Sequence, residues 1–109
     1  KNDFLTINDK SKLIKIKFDD ILYIETSKRQ LIIHTINGHE IIKMSIRKLE
    51  KLLNKDFFRC HNSFIVNLEK INKIDVSDIY INNATIPISK HRRKQLKARL
   101  IEVLGDKLC

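Results

Sequence analysis

Apolar residues in the first ninety positions fall into short runs separated by brief polar connections, a pattern that predicts strands. Phe4, Leu5 and Ile7 open it. Leu13, Ile14, Ile16 and Phe18 then alternate unevenly with Lys12, Lys15 and Lys17. Ile21-Leu22-Tyr23-Ile24-Glu25 has the character of a buried strand. Leu31–Ile36 and Glu40–Met44 flank Asn37-Gly38, a dipeptide suited to a tight hairpin turn. Further short strands are expected at Ile71–Val76, Ile79–Ile81 and Thr85–Ile88. The connections are too short for crossover helices, so the sheets should be antiparallel and the fold mainly β.

Two segments change period. From Ser45 to Leu53, a candidate N-cap serine precedes apolar residues at 46, 49, 52 and 53, with Glu50 and Lys51 on the wet side. A second helix is expected from about Ser89, with Leu96, Leu100, Val103 and Leu104 in one stripe and Gly105 as its stop.

Length and composition narrow the class. At 109 residues the chain is expected to form one domain, residues 1–109, with a modest core. With 42% apolar residues, one Pro and two Gly, it is not a disordered basic tail. No apolar run approaches the ~18 residues of a membrane span, and no leader pattern is present, so a cytoplasmic location without membrane contact is the default. The chain begins Lys-Asn-Asp and its sole methionine is Met44, which suggests a piece excised from a longer protein. Cys60 and Cys109 are too few to form a disulfide framework.

Charge alters the picture most. The 22 Lys and Arg against 13 Asp and Glu give a formal net charge of +9. Six of the basic residues fall between Ser89 and Arg99, a stretch with no acid, just where a strand gives way to a helix. Free N–H groups and the helix dipole add to side-chain charge there, so an anionic backbone is well received. Nucleic acid is the leading partner on this ground, with a merely solvated basic helix as the alternative.

The most specific segment is Phe57-Phe58-Arg59-Cys60-His61-Asn62-Ser63-Phe64-Ile65-Val66, a polar block between apolar flanks. Arg59, His61, Asn62 and Ser63 together can meet phosphate oxygens or base edges, and an Asn amide matches adenine in the major groove. The same residue types also satisfy local backbone groups in turns, and the sequence leaves both uses open.

The run F-F-R-C-H-N-S-F-I-V-N followed by I-P-I-S-K-H-R-R-K resembles the LytTR DNA-binding domain, in particular the AgrA/VirR class of response regulators that control virulence and quorum-sensing genes. Phe57, Arg59, His61 and Ser63 meet the pattern F-x-R-x-H-x-S. Ser89, Lys90, His91 and Arg92 meet S-K-H-R, while Ile21, Tyr23, Ile24 and Glu25 meet I-x-Y-I-E. The resemblance runs from about Phe4 to Leu100. It implies a sandwich of short antiparallel β-sheets with two or three short helices, binding duplex DNA through loops that enter successive major grooves of direct-repeat sites.

By the same resemblance, the DNA-binding residues are expected to be Lys28, Arg29 and Gln30, then Asn62 with Arg59, His61 and Ser63 shaping or supporting its contact, and Ser89, Lys90, His91 and Arg92. The loop Thr26–Gln30 is short for the family, and His91 stands where an Arg can occur. The resemblance also implies the output domain of a two-component transcription regulator, with an upstream receiver and a sensor kinase as partners. It would be monomeric alone and paired on DNA. Arg29 and Arg92 have the forked donors that suit guanine, and Lys90, Arg93 and Lys94 suit phosphates.

Other classes are weaker. His61, His91 and Lys90 are not spaced as an acid–base pair for RNA cleavage, so no enzyme is expected. No C-x-x-C or H-x-x-x-H spacing prepares a metal site, and no cofactor is expected. His34 and His39 are most simply turn or surface residues. Cys60 is expected as a small buried filler, with a reactive thiol as the alternative. Phe57, Phe58, Phe64 and Tyr23 sit in apolar contexts, which disfavours an RNA-binding face of exposed aromatics. A generic RNA or polyanion binder without sequence specificity remains the alternative.

Overall fold

The computed structural model describes residues 3–10 and 12–105. The chain is mainly β, with antiparallel sheets and a few short helices, and it divides into two compact units at Asn54/Lys55.

The first unit begins with a hairpin of β1 (Phe4–Asp9) and β2 (Lys12–Lys17), in which Leu5 pairs with Ile16 and Ile7 with Ile14. Leu5, Ile7 and Ile14 are buried, whereas Leu13 points to solvent, which explains the uneven alternation in the sequence. A 3-10 turn, Phe18–Asp20, leads into a meander of β3 (Ile21–Ser27), β4 (Gln30–Thr35) and β5 (Gly38–Ile42). Ile21, Ile24, Leu31, Ile33 and Ile42 supply its buried side chains.

The β4–β5 turn falls one residue earlier than Asn37-Gly38. Thr35 pairs with Gly38, so Ile36 and Asn37 form the loop. The Asn37 N–H donates to Thr35 Oγ1 at 3.2 Å, and Gly38 sits in β5 with φ 145°, a conformation that L side chains rarely adopt.

Helix α1 covers Ile46–Glu50, shorter than the expected Ser45–Leu53. Ser45 does cap it, accepting from the Lys48 N–H at 3.1 Å, and Ile46 and Leu49 are buried. Beyond Glu50 the chain switches to tighter bonds, Leu52 N–H to the Leu49 carbonyl and Leu53 N–H to that of Glu50, so the helix gives way to turns and Leu52 stays exposed.

The second unit opens with a hairpin of β6 (Phe57–His61) and β7 (Phe64–Asn67), followed by a 3-10 turn, Leu68–Lys70. A three-stranded antiparallel sheet follows: β8 (Lys73–Ile74), β9 (Asp78–Ile81) and β10 (Ala84–Pro87). The strand expected over Ile71–Val76 is reduced to β8. Asp75 Oδ1 accepts from the Ser77 and Asp78 N–H groups at 3.1 and 2.9 Å, which turns the chain and leaves Val76 exposed. The Tyr80 hydroxyl, donating to Asp75 Oδ2, and these N–H groups hold the Asp75 carboxyl below its usual range.

Helix α2 runs from Arg93 to Leu104 after a 3-10 turn at Lys90–Arg92, with Leu96 fully buried and Gly105 as its C-cap. The helix thus starts four residues after Ser89, because the Arg92 N–H bonds back to the Ser89 carbonyl and closes a tighter turn first. None of the described helices is long and apolar enough to cross a membrane. Cys109 lies outside the described residues.

Candidate nucleic-acid interface

In the first unit, Ser27 pairs with Gln30, so Lys28 and Arg29 alone form the β3–β4 turn. Both residues are exposed, and both take left-handed backbone conformations, φ 49° and 67°. Adjacent positive φ values are what a two-residue turn needs to match strand twist, and Asn-Gly would supply them with less strain. The turn therefore lifts two cationic side chains off the end of a rigid hairpin. Gln30, the first residue of β4, is half-buried.

Beside this turn, Thr26, Arg29, Gln30, Leu31, Met44, Ser45 and Ile46 line a groove of about 460 Å³. On the same meander, His34 Nε2 lies 2.6 Å from Glu25 Oε2, and the Tyr23 and His34 rings stack at 4.2 Å. His34 is thus a member of a cross-strand cluster and not a turn residue. Its register partners, Tyr23 on β3 and His39 on β5, cannot be seen from local sequence. Burial, and then the Glu25 charge, raises the Tyr23 hydroxyl pKa.

The second unit brings the other two motifs together. Arg59 pairs with Ile65 and His61 with Phe64, leaving Cys60 as an extra residue in β6. Such a bulge bends a strand and re-aims the side chains after it. Asn62 and Ser63 form the turn, Asn62 exposed and Ser63 half-buried. The Ser63 N–H donates to His61 Nδ1 at 3.1 Å, so the neutral His61 ring carries its proton on Nε2 and offers it as a donor. The His61 ring also meets Phe64 edge-on at 5.7 Å. His61 therefore serves the turn's backbone, one of the two uses the sequence left open, and keeps a donor besides. The guanidinium of Arg59 donates from Nη2 to the Asn62 carbonyl at 2.7 Å and braces the same turn.

The S-K-H-R element is fastened to this hairpin. The Ser89 N–H donates to the Cys60 carbonyl at 2.8 Å, and Arg92 Nη1 donates to the Arg59 carbonyl at 2.9 Å. Lys90 and His91 are exposed, whereas Arg92 is partly covered. Cys60 lies beneath the junction at 0% exposure, its thiol within 3.6 Å of the Pro87 carbonyl and 3.9 Å of that of Phe64. Burial pushes this thiol up to about 12 against the smaller opposing effects of a backbone hydrogen bond and the Arg92 charge. It is the filler the sequence suggested, with little thiolate at neutral pH.

Chemically, the second unit offers polar side chains on two elements bonded to each other: the exposed Asn62 amide and His61 Nε2 on the hairpin, and the exposed Lys90 and His91 on the attached element. Among the described residues, no group of three or more His, Cys, Asp or Glu side chains could hold a metal ion. Lys28, Arg29 and Gln30 belong to the first unit.

The chain is similar to known proteins. The family model described as the LytTr DNA-binding domain matches residues 11–101. The transcriptional regulatory protein YpdB of Escherichia coli is 29% identical over 105 residues, covering 89% of this chain and 43% of the relative. Accessory gene regulator protein A of Staphylococcus aureus is 35% identical over 77 residues, covering 67% of this chain and 32% of the relative. The chain thus spans less than half the length of these relatives. A solved LytTr DNA-binding domain from Bacillus cereus superposes with a TM-score of 0.76 at 25% identity, over 92% of this chain and 98% of that one. With F-x-R-x-H-x-S on the β6–β7 hairpin and S-K-H-R bonded to it, the chain belongs to the LytTr DNA-binding domain family.

Proposed function

We propose that residues 1–109 act as the output domain of a two-component transcription regulator that reads duplex DNA sequence-specifically through loops. Lys28, Arg29 and Gln30 would enter one major groove and the Asn62 turn, with Lys90 and His91, a successive one. The sites would be direct repeats, with one domain on each repeat. An upstream receiver and its sensor kinase would control the pairing, in a cytoplasmic protein. The shared length with YpdB and with accessory gene regulator protein A, less than half of each, is consistent with such a larger regulator.

One observation carries this reading: an exposed Asn62 amide on a turn whose backbone is braced from two sides, by Arg59 and by His61. A flexible polar loop could bind phosphates, whereas discrimination between bases needs a side chain held in place. The basic side chains would supply the sequence-independent part. Neutralising about six phosphates gives a salt slope near −5.

The test is fluorescence anisotropy with two duplexes, one enriched by the protein from random-sequence DNA and one scrambled version of it. Tighter binding to the enriched duplex at both low and moderate salt supports the reading. Equal, steeply salt-dependent binding to both would make the protein a generic polyanion binder.

A further inference from the structure

Two guanidinium groups of the second unit donate to backbone carbonyl groups of the β6–β7 hairpin. Arg92 Nη1 donates to the Arg59 carbonyl, and Arg59 Nη2 donates to the Asn62 carbonyl. The bonds run in series, from the S-K-H-R element through the backbone at Arg59 to the turn that carries Asn62. The Ser89 N–H adds a third bond, to the next carbonyl along, that of Cys60.

Arg92 matches the family motif and has the chemistry to read guanine, but its geometry is that of a strut. A bidentate contact to guanine takes two adjacent N–H groups of one guanidinium, either Nη1 with Nη2 or Nε with Nη2. Arg92 Nη1 is committed to Arg59, and Nε is buried with no hydrogen-bond partner. The Nε–Nη2 edge is therefore closed to solvent, and the Nη1–Nη2 edge is held against the hairpin through one of the two Nη1 N–H groups.

We infer that Arg92, acting through Arg59, is a positioning residue for base recognition: its guanidinium fixes the Asn62 turn and the Lys90–His91 segment relative to each other and does not itself touch DNA. This rests on the sequence-specific reading proposed above. Ordering both contact elements before DNA arrives lowers the entropy lost on binding, and that gain is realised only where both elements find their bases. Non-specific binding through phosphates has no need of it.

The test uses the 109-residue chain with Arg92→Lys and Arg92→Ala, the enriched and scrambled duplexes, and a salt titration on each. Arg92→Lys keeps the charge that a phosphate would feel and loses the planar fork that bonds the carbonyl. Positioning predicts that Arg92→Lys, folded by circular dichroism, binds the enriched duplex about tenfold or more weakly, since a hydrogen bond from a charged group is lost. Its affinity for the scrambled duplex and its salt slope should equal those of the unmodified protein. Wild-type affinity of Arg92→Lys for the enriched duplex would overturn the inference. So would an Arg92→Ala loss of equal size on both duplexes with a slope shallower by about 0.9, the mark of one phosphate contact. Should Arg92→Ala fail to fold, Arg92→Lys decides alone. If the unmodified protein enriches no sequence at all, the parent reading fails and the inference falls with it.

Discussion

Lys28 and Arg29 stand side by side in left-handed conformations, φ 49° and 67°, between the paired residues Ser27 and Gln30. Each such residue with a Cβ costs roughly 1–2 kcal/mol relative to a right-handed one. The cost persists because the turn is only two residues long and the strands on either side are fixed. Strain of this kind is common where side-chain chemistry at a turn matters more than turn stability. Arg29→Gly is expected to raise stability by about 1 kcal/mol, equivalent to a rise of roughly 4–8 °C in Tm, while weakening DNA binding. A thermal melt beside an anisotropy titration checks both halves; lower stability in the variant would refute the strain argument.

Helix α1 depends on its cap. It has only five residues, and Ser45 supplies an acceptor to the Lys48 N–H. Ser45→Ala should cost about 1 kcal/mol in urea unfolding, and Ser45→Asp little or nothing.

Cys60 should be silent in the folded protein. Its thiol is raised to about 12 by burial, well above the ~8.5 of an unfolded chain. The protonated form is therefore favoured by folding. That contribution is fully present below about pH 8.5 and is lost progressively as pH rises toward 12. Iodoacetamide at pH 8 should leave Cys60 unmodified in the native protein and label it in denaturant. Rapid native labelling, read by mass spectrometry of the Cys60 peptide, would show that the junction opens.

Much of this architecture is visible in the order of residues. A hairpin near Asn37, the Ser45 cap and the Leu96 helix follow from local periodicity and turn chemistry, whereas the polar block Arg59–Ser63 does not announce the β6–β7 turn. Local signals failed where a non-local or unusual constraint took over. Asp75 cut the strand over Ile71–Val76 short by accepting two backbone bonds. Lys28-Arg29 carries no Gly or Asn to announce a left-handed turn. His34 looked like a surface residue because its partners, Glu25 and Tyr23, come from another strand. The basic character of the candidate interface was evident from S-K-H-R-R-K. A supporting role for Arg59 was in the motif, but the use of Arg92 as a brace was not, since a guanidinium in a basic run carries no mark of which acceptor it meets.

Asn62 is the residue on which base recognition should turn. Asn62→Ala removes the amide and leaves its carbonyl, the acceptor for Arg59, in place. The variant should fold normally, bind the scrambled duplex unchanged, and lose about 1–3 kcal/mol on the enriched one. Equal affinities for the enriched duplex would remove Asn62 from the contact set.

The most direct test of loop entry is dimethyl sulfate protection of guanine N7 on the enriched duplex, with the unmodified protein bound. Loops in successive major grooves predict protected N7 positions in clusters about one helical turn, roughly 10–10.5 base pairs, apart on one face of the DNA. Uniform reactivity along a fully bound duplex would contradict major-groove reading and leave only backbone contact.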